Sequence, residues 1–441
     1  MTNTSLAAVV MAGGLGTRMR SEVPKHFHPI LGRRMVDWVI DVGRQTGADP
    51  LVVVASPSTR DEFEGVTVAV QERPLGTGDA VRAAHAALGS YDGDVLVLSG
   101  DTPLLTSELL DALVAEHRRQ GAGGTILSAV PSDPRLYGRV MRDADGSVLR
   151  VAEGTDATPE ELAIREVNTS IYVFRSAALW PALDRLEPKN VQGELYLTDI
   201  VGVLVAAGEK VAAYAAPNAD ETEGVNTRGE LAHAAAILRR RINDGHMLAG
   251  VTIVDPETAW IDPTVELEPD VTIHPFTVLR GSTRVESGAQ IHPHTVAVDA
   301  HIGREANVGP FCYLRPGTVL GDSSKAGTYV EIKNSRIGDR TKVPHLSYLG
   351  DAEIGDDTNV AAGNITVNFP HKPGLPKGRT KIGSNVRTGV QNAFVAPVEV
   401  GDGAWIGAGS VITKDVPADA LAVARAHQEN KEGYAARHRD D

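Results

Sequence analysis

An apolar side chain returns at every sixth position from Ile302 to Ile332, through Val308, Leu314, Leu320 and Ala326. Neither the helical period of about 3.6 nor the strand period of about 2 sustains that spacing over a long run, so the segment has a period of its own. Glycine follows several of these residues (Gly303, Gly309, Gly321). Such a pattern fits a solenoid in which each hexad forms one short flat side and three sides close a triangular turn. The phase continues upstream through Ile273, Leu279, Val285, Ile291 and Ala297. Downstream, after single-residue slips, it runs through Ile337, Val343, Leu349, Ile354 and Val360, then Ile382, Thr388, Phe394, Val400, Ile406 and Ile412. The repeat therefore covers most of residues 251–415. A sandwich of short strands is the competing reading, and strict spacing over so many hexads opposes it. The prediction is an all-β left-handed parallel β-helix whose flat faces suit subunit contacts, with a homotrimer as the expected assembly.

A chain of 441 residues exceeds what one hydrophobic core usually organises, so at least two domains are expected. A net charge of −14 argues against broad binding to nucleic acid or to an anionic membrane, and any anionic substrate must meet local basic clusters. No apolar run reaches the length of about 18 residues at which a bilayer span becomes plausible. Leu6 to Met11 lacks a basic leader and a cleavage site, so it reads as a strand, and the chain is expected in the cytoplasm. The single cysteine, Cys312, lies inside the repeat and reads as a buried structural thiol. Arg239, Arg240 and Arg241 read as a solvated helix face.

Before the repeat, apolar runs alternate with helical patterns. Leu6 to Met11, Pro50 to Ala55, Val66 to Val70 and Asp94 to Leu98 read as strands; Met35 to Gln45, Gly78 to Ala87 and Glu108 to Gln120 read as helices. That alternation predicts an α/β Rossmann-like domain with an open, mostly parallel sheet and ligands beyond the carboxyl ends of its strands. The domain boundaries read from the chain are 1–227 for the sheet domain, 228–250 for a linking helix, 251–424 for the β-helix and 425–441 for a tail. Leu231, Ala235, Leu238 and Ile242 form one stripe of the linking helix, which is expected to end at Gly245.

Directly after the first strand come Ala12 to Met19 (AGGLGTRM) and then Pro24-Lys25. A glycine-rich turn lets backbone N–H groups approach an anion, and Arg18 and Lys25 add positive charge for a triphosphate. The dinucleotide fingerprint wants a third glycine where Arg18 stands, and the Walker motif wants Gly-Lys followed by Ser or Thr; neither is present. The segment resembles the activating loop of sugar-1-phosphate nucleotidyltransferases. Gln71, Leu75 to Ala80 (LGTGDA), Ser99 to Leu105 (SGDTPLL), Tyr137 to Arg139 (YGR), Glu153, Val167 to Phe174, Gln192 to Ile200 and Glu223 to Arg228 extend the likeness over nearly the whole chain. They are similar to the bifunctional bacterial N-acetylglucosamine-1-phosphate uridyltransferase/glucosamine-1-phosphate N-acetyltransferase family.

That resemblance implies that Ala12, Gly13 and Gly14 line the nucleotide, that Lys25 and Arg18 face its phosphates, and that Gln71, Gly76 and Thr77 read the uracil. Gly138, Glu153 and Asn168 would hold the sugar, and Asp101 with Asn226 would bind Mg2+. The assignment is chemically sensible, since nucleotidyl transfer needs charge neutralisation and in-line positioning, and a hard cation wants oxygen ligands. Asp101 also reads as a strand-end cap and Asn226 as a cap of the linking helix. Ser99 stands where the family often has Tyr, and His26-Phe27-His28 replaces a more apolar stretch; a packing role at a helix start is the preferred reading of the two histidines, against a metal site.

In the repeat, Leu314 to Gly317 (LRPG), Tyr329 to Asn334 (YVEIKN), His345 to Val360 and Asn364 to Phe369 resemble the acetyltransferase half. An amine must lose a proton to attack a thioester, so a base that titrates near neutrality is needed. By the resemblance His345 is that base and Glu331 orients it. Arg315, Lys333 and Lys377 would face the sugar phosphate, with Tyr348 and Asn359 on the sugar, and Asn368, Phe369, Val390, Ala408 and Arg425 would lie on the acetyl-CoA side. The chain departs from the family at Pro344, at Asn368-Phe369-Pro370-His371 with the longer loop to Pro376, and at Val390-Gln391-Asn392, where the family usually has Ser-Asp-Thr.

The leading expectation is a bifunctional transferase. It acetylates glucosamine-1-phosphate from acetyl-CoA, then joins UTP and N-acetylglucosamine-1-phosphate into UDP-N-acetylglucosamine and pyrophosphate, with no nucleic-acid or membrane partner. The alternative keeps the nucleotidyltransferase and makes the repeat a trimer scaffold or an altered acyltransferase. A non-catalytic nucleotide-sensing assembly protein is a third reading, which the intact Lys25, Asp101 and Asn226 set opposes.

Overall fold

The computed structural model describes residues 5–14, 16–370 and 374–439. The chain divides into two compact units, Met1–Leu238 and Arg239–Asp441.

The first unit is built on a mixed sheet. The strands of its main path, in chain order, are β1 (Leu6–Met11), β2 (Leu51–Ala55), β3 (Thr67–Val70), β4 (Asp94–Ser99), β5 (Gly124–Ala129), β6 (Val167–Arg175) and β7 (Val211–Ala215), in the spatial order β7-β5-β6-β4-β1-β2-β3, and the hairpin of Arg139–Arg142 with Val148–Ala152 joins it at β6. β1 pairs in parallel with β2 and β4, and β2 with β3. β6 runs antiparallel between β4 and β5, so the sheet is not wholly parallel. The central strands are buried along their length, as β1 and β2 show by having no exposed residue. That burial explains why they read as continuous apolar runs rather than alternating ones. Helix α1 (Met35–Gln45) packs Val36, Val39 and Ile40 against one face of the sheet, and α3 (Ser107–Gln120) adds Leu109, Leu110 and Leu113 to the same cluster. The other face is covered by α2 (Thr77–Ala83), which contributes Ala80 and Val81. Thr106 caps α3 by accepting the N–H of Leu109, and Gly121 ends it in the left-handed region.

Helix α4 spans Arg228–Leu248, so Gly245 lies within it rather than ending it. A helix tolerates an internal glycine at a cost of about 1 kcal/mol, whereas Gly250, with φ of 97°, adopts a backbone that continues no right-handed helix. The boundary between the two units falls inside this helix, between Leu238 and Arg239.

The second unit coils. Its short strands stack into three parallel sheets, each residue pairing with one a coil later: Asn307 with Lys325 on the first face, Tyr313 with Glu331 on the second, His301 with Val319 on the third. All the residues of the six-residue register are buried, and only Thr388 among them is polar. Each aliphatic member contributes about 1.5–3 kcal/mol by leaving water, so the column is the main stabilising feature of the unit. Glycines of the third face stand so close to the next coil that a Cβ on Gly338 would come within 2.6 Å of the Gly355 carbonyl carbon, and one on Gly355 within 2.7 Å of that of Gly383. Beside them an aspartate ladder stitches coil to coil: the N–H of Asp322 donates to Asp339 Oδ1 at 2.9 Å, and that of Asp339 to Asp356 Oδ1 at 2.8 Å. Cys312 is buried, and burial pushes its thiol up to about 12, as a structural thiol requires.

Candidate functional site

A cavity of about 430 Å³ opens beyond the carboxyl ends of β1 and β4. Gly13, Gly14 and Gly16 of the glycine-rich loop line it, together with Arg18, Lys25, Gln71, Gly76, Thr77, Ser99, Asp101, Glu194 and Asn226. Ala12 stays with the sheet, its N–H donating to the Val54 carbonyl at 2.8 Å. At one end the charged residues converge. Lys25 Nζ donates to Asp101 Oδ2 and, at 3.0 Å, to Asn226 Oδ1, which also accepts from Arg18 Nη2 at 2.9 Å. Burial works to raise the Asp101 carboxyl; the neighbouring Lys25 ammonium outweighs it, helped by a 2.7 Å hydrogen bond from Ser99 Oγ to Oδ1, and holds the group down at about 2. Asp101 is thus a carboxylate at any physiological pH. Among the described residues no group of three or more His, Cys, Asp or Glu could hold a metal ion; the oxygens that converge are one carboxylate and one amide.

At the other end, the Gln71 Nε2 group donates to the Gly76 carbonyl and to Asp79 Oδ2, both at 3.0 Å. With its NH2 so engaged, Gln71 turns Oε1 towards Gly13, where a Cβ would lie 3.1 Å from it. Gly76 needs to be glycine: its φ is 118° and a Cβ would come within 2.7 Å of the Leu195 nitrogen. The hydroxyl of Thr77 accepts the Leu197 N–H at 2.9 Å. Gly138, Glu153 and Asn168 also come together. Asn168 N donates to the Gly138 carbonyl at 2.8 Å, its Nδ2 to the Tyr172 hydroxyl at 2.8 Å, and Thr198 Oγ1 to Glu153 Oε1 at 2.7 Å. Burial raises the Glu153 carboxyl above its ordinary value.

His26 is buried beneath the glycine loop, 3.5 Å from where a Gly14 Cβ would stand and 3.1 Å from a Gly100 one. Burial, reinforced by Lys25, lowers it to about 4 and keeps it neutral. His26 begins no α-helix; it lies in the short 3-10 turn Lys25–Phe27.

The coil unit distributes its candidates over two faces. On the second face Arg315 Nη1 donates to Glu331 Oε1 at 2.8 Å, Glu331 pairs in register with Tyr348, and the crowding Lys377 ammonium pushes the Lys333 amine down. Lys377 Nζ lies 5.9 Å from the Phe369 ring centre, and Asn368 Nδ2 donates to Asp351 Oδ2 at 2.6 Å. His345 and Asn359 belong to the first face, Asn359 bridging Lys342 and Arg387. Glu331 accepts from Arg315 on the second face while His345 ends a strand of the first, and the corner at Leu346, with φ of 48°, turns the backbone between the two faces. His345 is exposed at that edge. Backbone bonds from Gly363 to His345, Gln391 to Ala362 and Gly409 to Val390 set His345, Ala362, Val390 and Ala408 in one column, one coil apart. Arg425 ends it, its Cδ 3.8 Å from where a Gly409 Cβ would be. Of the longer loop, residues 371–373 lie outside the described residues.

A family model described as the MobA-like NTP transferase domain matches residues 8–197. Curated relatives named Bifunctional protein GlmU are similar along nearly the whole chain. That of Streptomyces coelicolor is 47% identical over 458 residues, covering 98% of this chain and 94% of the relative. Those of Brevibacillus brevis and Mycobacterium marinum are each 44% identical, covering 98% and 97% of this chain and 97% and 92% of the relatives. The chain belongs to the GlmU family.

Within this GlmU-family chain, the residues to which the motifs gave no site role are Ser99, Tyr172, Glu194 and Thr198. All lie inside segments that carry the resemblance, yet no spacing rule ties Thr198 to Glu153 or Tyr172 to Asn168. Ser99, two residues before Asp101 at the end of a strand, was the one with a local signal. No helix is long and apolar enough to cross a membrane among the described residues.

Proposed function

We propose that the chain makes UDP-N-acetylglucosamine by two transfers: acetyl from acetyl-CoA to glucosamine-1-phosphate, then uridylyl from UTP to N-acetylglucosamine-1-phosphate. The observation that carries the second step is the convergence of Lys25, Arg18, Asp101 and Asn226 at one end of a cavity whose other end holds Gln71, Gly76 and Thr77. A free Gln71 Oε1 is an acceptor, which suits the N3–H of uracil and not the N3 of cytosine. The sugar phosphate oxygen attacks the α-phosphorus in line and pyrophosphate leaves; Lys25 and Arg18 face the charge that builds on the phosphate oxygens. Glu153, Asn168 and the Gly138 backbone hold the sugar hydroxyls. Asp101 and Asn226 would hold Mg2+, whose preference for oxygen ligands and for sharing substrate phosphates fits one carboxylate and one amide oxygen on the same point. When bound, the ion supplies further neutralisation of the triphosphate.

For acetyl transfer, Lys333, Lys377 and Arg315 form a cationic patch that suits the sugar phosphate, and exposed His345 takes the proton from the amine nitrogen as it bonds to the thioester carbonyl, the thiolate leaving. The column from His345 through Ala362, Val390 and Ala408 to Arg425 supports an acyl-donor path along one edge. Because Arg315, Lys333 and Tyr348 lie on one face and His345 and Asn359 on the next, one chain does not enclose the site. A homotrimer, in which a neighbour's face covers it, is the reading this favours. UTP and acetyl-CoA are cytosolic metabolites, and the chain is proposed to act in the cytoplasm. Two releases test the function: pyrophosphate from UTP, Mg2+ and N-acetylglucosamine-1-phosphate, and free thiol from acetyl-CoA and glucosamine-1-phosphate. Thiol release absent while pyrophosphate release persists would leave the repeat as a scaffold.

A further inference from the structure

Asp101 gives its two oxygens different tasks. Oδ1 accepts the Ser99 hydroxyl at 2.7 Å, while Oδ2 faces Lys25 Nζ, the point that Asn226 Oδ1 also reaches at 3.0 Å. Ser99 is itself held, since its carbonyl accepts both the Thr102 hydroxyl at 2.6 Å and the Thr102 N–H at 3.2 Å in the turn that leaves β4. The Asp101 side chain is only 14% exposed, so water competes little for Oδ1. A serine hydroxyl has one proton, and here it is spent on the carboxylate.

We propose that Ser99 sets the ion selectivity of the uridylyl site by disfavouring coordination of Asp101 through both of its oxygens. The proposal rests on the reading of Asp101 and Asn226 as the ion's ligands. Magnesium, at about 2.0–2.1 Å from its ligands in an octahedral shell, is satisfied by one oxygen of a carboxylate, with substrate phosphates and water completing the shell. Calcium, at about 2.3–2.6 Å with six to eight oxygens, gains from a carboxylate that offers both. The Ser99 hydrogen bond takes one lone pair of Oδ1 and weakens that oxygen as a second ligand, which handicaps calcium. A tyrosine at this position, which the family often has, carries its hydroxyl a full ring further from the backbone, so the device belongs to chains with a short hydroxyl side chain here.

The test titrates magnesium and calcium separately, by calorimetry, into the full chain saturated with UDP-N-acetylglucosamine. Ser99→Ala is expected to shift the ratio of calcium to magnesium affinity towards calcium by about tenfold, the worth of one charge-assisted hydrogen bond. Ser99→Thr, which keeps the hydroxyl, should retain the wild-type ratio. A role confined to packing would move both affinities together and leave the ratio alone, and an unchanged ratio in Ser99→Ala overturns the proposal. Asp101→Ala separates the two levels of failure. If it loses both ions while Ser99→Ala leaves the ratio unchanged, the ion site stands and the selectivity role is wrong; if it leaves both affinities intact, the ligand assignment falls and the proposal with it.

Discussion

The two units place their chemistry in opposite ways. In the sheet unit, side chains far apart in sequence, Lys25, Asp101 and Asn226, meet at the end of the strands inside one cavity. In the coil unit the candidate groups point outwards from two faces, and Glu331 meets Arg315 rather than His345. An open parallel sheet makes a crevice where its strands end, so one chain suffices to build a site. A solenoid turns its apolar residues inwards and its polar ones out, so a site needs a second surface to exclude water.

The contrast breaks most sharply at Asp101. Asp101→Ala should lower uridylyl transfer by about 1,000-fold, the upper scale for losing a charge-stabilising group, and leave acetyl transfer at the wild-type rate. Pyrophosphate and thiol release measured on one sample give both numbers, and a parallel loss of the two would mean that the sites are not independent.

His345→Ala is the mirror experiment, with acetyl transfer expected to fall about 100-fold and uridylyl transfer unchanged. Dilution sharpens the same point without a mutation. If a neighbouring copy completes the coil site, acetyl transfer per chain should drop at concentrations where sedimentation shows monomer, while uridylyl transfer per chain stays constant. A constant acetyl rate in proven monomer would show that one chain suffices.

Gly355→Val tests stability in place of chemistry. Its Cβ would meet the Gly383 backbone at 2.7 Å, and overpacking of that kind costs about 1–3 kcal/mol. Calorimetry should show the coil transition moved to lower temperature, with the sheet transition and uridylyl transfer kept. The smallest effect concerns acid. Burial works to raise Asp94, but its hydrogen bonds with His117 and Arg118 more than offset that, leaving the carboxyl below its ordinary value. A carboxyl depressed by folding stabilises above its unfolded value, about 3.9, and loses that contribution as pH falls through its folded one. The sheet transition should therefore weaken below about pH 4, and Asp94→Asn should flatten part of that slope; an identical slope in the variant would remove Asp94 from the account.

The sequence by itself determined the coil and its inward column, because a six-residue period is a local property that needs no knowledge of distant partners. All the register residues named from spacing are buried. It also determined the glycine-rich loop as a loop and four strands of the sheet, Leu6 to Met11, Pro50 to Ala55, Val66 to Val70 and Asp94 to Leu98, each written in a few consecutive residues. The antiparallel placement of β6 was not legible, since nothing in Val167 to Arg175 tells which neighbours it will join. Nor was the end of α4, where Gly245 is tolerated and Gly250 turns the chain. Only the tertiary structure decided which side chains share a site: that Ser99 holds Asp101, that Thr198 reaches Glu153 across 45 positions, and that a corner at Leu346 parts Glu331 from His345. Periodicity fixes whether a residue faces inwards or outwards. Which outward residues meet depends on how many residues each coil spends on its corners and loops, and that is settled by backbone pairing between coils, as when Tyr348 pairs with Ile365 but Ile365 with Ala393.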